Sequence, residues 1–294
     1  MSPTSLNQQT QSLAERLARL QPAMDDTLAR LSSGSRLVRP SLDPIGTGLA
    51  SRYEGRQKRF EAAAVNLQNG ASRLQMTDSF LAKLGQATER MSELATLNGN
   101  PALNAEDRHV YELEFIGLQK QLRAMIGGTT AEIGGTSDVA EPQGQFQGRT
   151  LFGEAPAGGE NLTAGAEHDV VIRLPEVNLR TGATAVIFAQ DAAGEFTFKI
   201  SDGSAVAKIK AAVDQLAAGR AAVGGAQNRI DLASSALATE QTNAEAALSR
   251  IRDTDVATET TALSRRQMLE EATTAMLAQA RDVPRQLLPL LTAR

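Results

Sequence analysis

Ile209, Leu216, Val223, Ile230, Leu237, Ala244 and Ile251 stand seven residues apart in one proline-free stretch. Seven residues make two helical turns, so these positions fall on a single stripe of one long helix. Ala226, Ala233 and Ala247 follow three residues behind their heptad positions. Small residues there let a partner helix approach closely. Such a stripe cannot stand alone in water: another long helix has to cover it. The pattern therefore predicts a mainly α chain built as a rod or coiled coil.

Several partner helices are legible. Asp43 before Pro44 is a helix start, an acidic N-cap with proline at the first helical position. Phe60, Leu67, Leu74 and Leu81 then recur at sevens, with Leu84 and Met91 in a neighbouring row. "LNGNPALN" ends this helix, and Asn104 can cap the next. Tyr111, Leu118 and Met125 supply that helix's stripe, and Gly127 with Gly128 stops it.

Both ends of the chain are helical too. Leu6, Leu13, Leu17, Leu20, Met24, Leu28 and Leu31 share one face, and Gly34 is a left-handed cap. After "RDTDVATE", Thr254 or Asp255 can recap a last helix. There Leu269, Met276, Val283 and Leu290 continue at sevens, with Leu287, Leu288 and Leu291 beside them. Pro284 and Pro289 limit how far this helix runs regularly. Chain ends usually read polar. Two amphipathic ends without a core of their own are expected to pair with each other. A pair still leaves apolar surface over, which further copies of the chain would bury.

The middle, residues 129–205, changes character. Glycine is dense between Gly127 and Gly165, and "GQFQGRTLFG" reads as strand, turn, strand. "HDVVIRLPEV", "ATAVIFA" and "EFTFKI" are β-branched and aromatic runs expected to be short strands. They amount to a small β element.

Catalysis finds little support. Aromatics are only 3%, too few for the pockets most enzymes build. His109 and His168 lie far apart, and no His-Glu-x-x-His pattern exists. "GGTTAEIGG" lacks the Lys-Ser/Thr of a phosphate loop. Glu112 and Glu114 point to different helix faces, while Asp253 and Asp255 read as caps. No catalytic residue, metal or cofactor is expected.

Net charge is −4, too mild to require an oppositely charged partner. Arg52, Arg56, Lys58 and Arg59 lack interleaved aromatics, so they read as a solvated helix face and not as a nucleic-acid site. No apolar run approaches a membrane span. "MSPTSLNQQTQ" does not resemble a secretory leader, and cysteine is absent, which suits a chain that leaves a reducing compartment unfolded. Asn161-Leu162-Thr163 fits the N-glycosylation pattern but is discounted as a chance match.

Several longer stretches resemble bacterial flagellin, the subunit of the flagellar filament. "RLSSGSRL" is similar to that family's Leu-Ser-Ser-Gly signature. "NLQNGASRLQMTDSFLAKLGQATERMSELA" resembles its first long core helix, and "AVGGAQNRIDLA" with "SRIRDTDVATETTALSRRQMLEEATTAMLAQARDVPRQLLPLL" resembles its C-terminal region. The resemblance implies an extracellular, self-polymerising structural protein. It implies that 1–40 and 255–294 pair as an inner core, that 41–128 and 206–254 form rod helices, and that 129–205 is a small β portion or short outer insertion. It also implies export without a cleaved signal peptide, through a flagellar export apparatus and with a dedicated chaperone, and contact with filament-cap and hook-associated junction proteins. "RPSLDPIGTGLA" departs from the family pattern and is similar to the hook–filament junction protein, the alternative reading. Finally, "ERMSELATL" resembles the stretch that a vertebrate Toll-like receptor senses. Arg90 and Leu94, with Glu114 on the next helix, stand where that family's contacts stand, although Ser92 replaces a frequent arginine.

Overall fold

Helix ends in this chain fall where local chemistry sets them. The computed structural model describes residues 3–153, 160–165 and 170–292, with side chains described between Gln8 and Asp282 of that span. The first helix, α1 (Pro3–Ser33), stops at Gly34, whose φ of 67° is left-handed. Asp43 caps α2 (Pro44–Asn98) by accepting a 2.7 Å bond from the Gly46 amide. Asn104 does the same for α3 (Ala105–Ile126) through the Asp107 amide, at 2.7 Å. Gly127 and Gly128, both at positive φ, end α3. At the far end of the chain, α6 (Ala205–Arg252) gives way to α7 (Val256–Thr292), and Asp255 caps α7 through the Ala257 amide. The backbone of α7 stays helical past positions 284 and 289, further than the prolines suggested. A proline removes one hydrogen bond and bends a helix without having to end it.

The intervening segment carries the minor β structure. Strands β1 (Gln145–Phe146) and β2 (Arg149–Thr150) pair antiparallel, as do β3 (Glu160–Thr163) and β4 (Val171–Leu174). A short helix, α4 (Thr130–Ile133), starts with a capping box in which the Glu132 carboxylate accepts from the Thr129 amide. Two expected strands are not strands. "ATAVIF" is the helix α5 (Ala183–Phe188). Thr184, Ile187 and Phe188 follow a three-four spacing that buries one helical face, and burial overrides the β propensity of the run. "EFTFKI" does alternate, burying Phe196, Phe198 and Ile200, but it has no partner strand beyond one bridge from Phe196 to Gln190. The buried Gln119 amide of α3 takes the Phe198 carbonyl instead, at 2.9 Å, and also that of Ile187, at 2.7 Å.

The chain divides into two compact units, 58–240 and 1–57 with 241–294. The first has a closed core. Phe60, Leu67, Leu74, Leu81, Leu84 and Met91 of α2 are buried, as are Ile209, Leu216, Val223, Ile230 and Leu237 of α6. Both heptad rows therefore face inward as their spacing requires. On α3 the inward row is Phe115, Leu122, Met125 and Ile126, while Tyr111 and Leu118 are only half-buried. The inward face of α3 includes Gln119 and Arg123, so apolar spacing alone places its stripe wrongly. Arg123 donates to the carbonyls of Ile133 at 2.9 Å and Gly134 at 2.6 Å, tying the α4 turn to α3. Gly134 has to lack a side chain, because a Cβ at its positive φ would overlap the Gln190 carbonyl oxygen. The second unit contains the α1–α7 pair.

Candidate assembly surface

α1 and α7 pack side by side within their unit. Leu13, Leu17, Leu20, Met24 and Leu31 of α1 lie half-buried on the shared face. Polar ties fix the pair. The Arg266 guanidinium donates to the Ala23 carbonyl at 2.6 Å, and Arg30 meets Glu259 at 3.4 Å. At one end the chain closes on itself through a bridge between Ser35 and Asp253 and a 3.0 Å bond from the Thr254 amide to the Gly34 carbonyl. Thr27 and Thr273 are buried in this unit, each donating its hydroxyl to a carbonyl of its own helix, at 2.9 and 2.6 Å. Their donors are satisfied locally, so they sit in the seam without a partner across it.

The face that α7 turns inward is not the predicted heptad. Its less exposed positions are Glu259, Ala262, Leu263, Arg266, Glu270, Thr273, Leu277 and Ala280. Leu269 and Met276 are 48% and 60% exposed, so they do not belong to the in-chain seam. They lie instead on a second stripe, Met268, Leu269, Ala272, Ala275 and Met276, all exposed. The spacing i, i+1, i+4, i+7, i+8 gathers these five on one flank of the helix. Leu28 of α1 is likewise 47% exposed, because it sits at the edge of a face that one partner helix only partly covers. Predicted residues Leu6, Val283, Leu287, Leu288, Leu290 and Leu291 lie outside the described side chains, as His168 lies outside the described residues. Ile251, at the end of the α6 heptad row, is half-buried.

The proposed receptor stretch separates into two parts. Arg90 of α2 and Glu114 of α3 come together in a bidentate pair, with Nε to Oε1 at 2.7 Å and Nη2 to Oε2 at 3.1 Å. A third bond runs from Arg90 Nη1 to Glu93 at 2.6 Å. Accepting hydrogen bonds from Arg90 holds the Glu114 carboxyl below the usual range, and donating to Glu114 first and then to Glu93 raises the guanidinium pKa. Leu94 does not join them. It is fully buried in the core of its unit, packing as heptad logic requires, and offers a partner no surface. His109 is exposed on α3. Among the described residues no group of three or more His, Asp or Glu could hold a metal ion, and no helix is long and apolar enough to cross a membrane.

Long helices from both chain ends, a closed core in one unit and an exposed apolar stripe in the other define a class: a long-helix structural protein. The comparisons with known proteins are specific. The chain matches the bacterial flagellin N-terminal helical region over residues 4–132 and the bacterial flagellin C-terminal helical region over residues 206–291. It is 29% identical to flagellin FlaB2 of Treponema pallidum (strain Nichols), covering 92% of each chain. It is 29% identical to the flagellar filament 33 kDa core protein of Treponema phagedenis, again covering 92% of each chain. With a flagellin of Bacillus subtilis (strain 168) it shares 27% identity, covering 94% of this chain and 95% of the relative. The chain belongs to the bacterial flagellin family and is a structural subunit that polymerises into the flagellar filament.

Proposed function

We propose that copies of the chain join through the second stripe of α7. Met268, Leu269, Ala272, Ala275 and Met276 would seat a helix of a neighbouring copy, with Leu28 of α1 and the tail positions Val283, Leu287, Leu288, Leu290 and Leu291 adding to the same contact. Leu6 would join it from the other end. The observation that carries this reading is that stripe: five exposed apolar positions beside a seam that α1 already fills. A monomer would keep that surface in water, whereas a helical polymer would bury it in every subunit.

Leu269→Asp tests the reading. A buried leucine is worth roughly 1.5–3 kcal/mol. Losing it and burying an unpaired charge should raise the critical concentration for seeded assembly by at least about tenfold. The subunit's own melting temperature should not move, because Leu269 touches no closed core. Normal assembly, or a large drop in subunit stability, would refute the proposal.

The remaining partners follow from the family resemblance. In this reading the chain has no enzymatic activity. It is threaded unfolded through the flagellar export apparatus without cleavage of a signal peptide, and a dedicated chaperone shields 255–294 beforehand. In the filament it meets junction proteins at one end and the cap at the other. Deleting 255–294 should abolish chaperone binding. A vertebrate Toll-like receptor would have Arg90 and Glu114 to recognise, with Leu94 out of reach.

A further inference from the structure

The chain has no cysteine and no tryptophan, so methionine thioethers are its softest groups toward a two-electron oxidant. Their exposures differ widely. Met91 and Met125 are buried at 0% and 6%, and Met24 is half-buried in the α1–α7 pair. Met76 is 39% exposed, whereas Met268 and Met276 reach 68% and 60%. The two most exposed methionines among the described residues therefore fall on one element, and both belong to the second stripe of α7.

We propose that Met268 and Met276 are an oxidation site that controls assembly. The proposal rests on the reading of that stripe as the joining surface between copies. Hydrogen peroxide delivers one oxygen atom to the thioether sulfur. The O–O bond breaks, the sulfur loses two electrons to become a sulfoxide, and the peroxide leaves as water. A flexible apolar side chain becomes a polar, chiral one. On the core side of a helix this would unfold the subunit. On the outer stripe it leaves the subunit folded and spoils the surface that a neighbour must dry. Assembly closes the site in turn, since a thioether packed beneath a neighbouring helix is shielded from peroxide. The state of these two sulfurs thus sorts subunits before they join. The change is undone by methionine sulfoxide reductases, one for each epimer.

The test uses the full-length chain, hydrogen peroxide and sonicated filaments as seeds. Peptide mass spectrometry of the treated free chain should show sulfoxide first at Met268 and Met276, then at Met76, and last at Met91 and Met125. Chain oxidised at both positions should keep its melting temperature, and its critical concentration for seeded growth should rise by about tenfold, the loss of one buried apolar side chain. Treatment with both reductases should restore growth. In the double variant Met268→Leu with Met276→Leu, peroxide should cause no rise in the critical concentration above that variant's own untreated value. In preformed filaments the two methionines should oxidise at least about tenfold more slowly than in the free chain, as expected for burial. Unchanged growth of the oxidised chain would overturn the proposal, as would equal peroxide sensitivity of the double variant or equal oxidation rates in filament and free chain. If Leu269→Asp leaves seeded growth unchanged, the reading of the stripe as the joining surface fails and the oxidation site falls with it. If Leu269→Asp blocks seeded growth while chain oxidised at Met268 and Met276 grows as well as untreated chain, only the oxidation site is lost.

Discussion

The two units bury their large side chains very differently. Between residues 58 and 240, Phe60, Leu81, Leu84, Met91, Phe115, Leu122, Ile126 and Phe188 are all at or below 1% exposure. In the other unit the only large apolar side chain buried among the described residues is Leu248, and the other buried apolar residues there are Ala50 and Ala244. Its long α1–α7 seam is made of half-buried leucines, alanines and two threonines bonded to their own helices. One unit closes its core within a single copy. The other leaves its α1–α7 seam half-buried among the described side chains. A small apolar yield per ordered residue does not offset conformational entropy well.

The sharpest way to break this comparison is amide exchange on the free subunit. Protection in α6 between Ile209 and Leu237 should exceed that in α1 and α7 by on the order of a thousandfold, about 4 kcal/mol in local opening. Equal protection would show that the α1–α7 pair is already complete in one copy. Next comes Leu81→Ala, which opens a cavity in the closed core and should cost about 2–5 kcal/mol by calorimetry. The same exchange at half-buried Leu17 should cost far less in the free subunit and appear mainly in filament stability.

Gln119→Leu is smaller and probes how the closed unit holds its irregular middle. It removes the donor to the Ile187 and Phe198 carbonyls, and each buried acceptor left unpaired costs about 1–3 kcal/mol. Loss of stability should be accompanied by faster exchange confined to 183–200. The smallest effect concerns pH. The Glu114 carboxyl is depressed by Arg90, so the pair's contribution is present above the ordinary carboxylate pKa and fades as pH falls through the lower, folded value. Both groups are solvent-exposed, so Arg90→Ala should flatten a shallow acid-side slope in melting temperature by slightly lowering the neutral value, while the value at low pH, where the pair is already lost, stays the same. A slope that persists in the variant would assign it to another carboxylate.

Legibility from sequence follows the same division. The rows on α2 and α6 could be read at sevens because their buried positions are large and apolar, as Leu67 and Ile230 are. The caps at Asp43 and Asn104, and the stop at Gly34, were equally plain, since each is a local backbone requirement. On α7 the heptad of Leu269 and Met276 was real but marked the uncovered flank. The inward face mixes Leu263 and Leu277 with Ala262, Arg266, Thr273 and Ala280, which dilute its hydrophobic signal. On α3 the buried Gln119 and Arg123 hid the true stripe for the same reason. The α5 run misled because β-branched residues favour strands only where a neighbouring strand exists, and here the available surface was a helix. Leu94 stands three residues after Met91 on the inward row of α2, so its burial was legible from the same spacing.

The turn between β1 and β2 has one more use. Gln147 at φ 49° and Gly148 at φ 76° make a tight reversal, with nothing within 4 Å of where a Cβ on Gly148 would sit. Only two residue pairs join the strands on either side. Foreign sequence spliced between Gln147 and Gly148 would therefore displace no packed side chain. Its penalty would be loop closure, roughly 0.6 kcal/mol for each doubling of length. The hairpin is a ready grafting point, at which the chain could carry a passenger peptide while both heptad rows stay as they are.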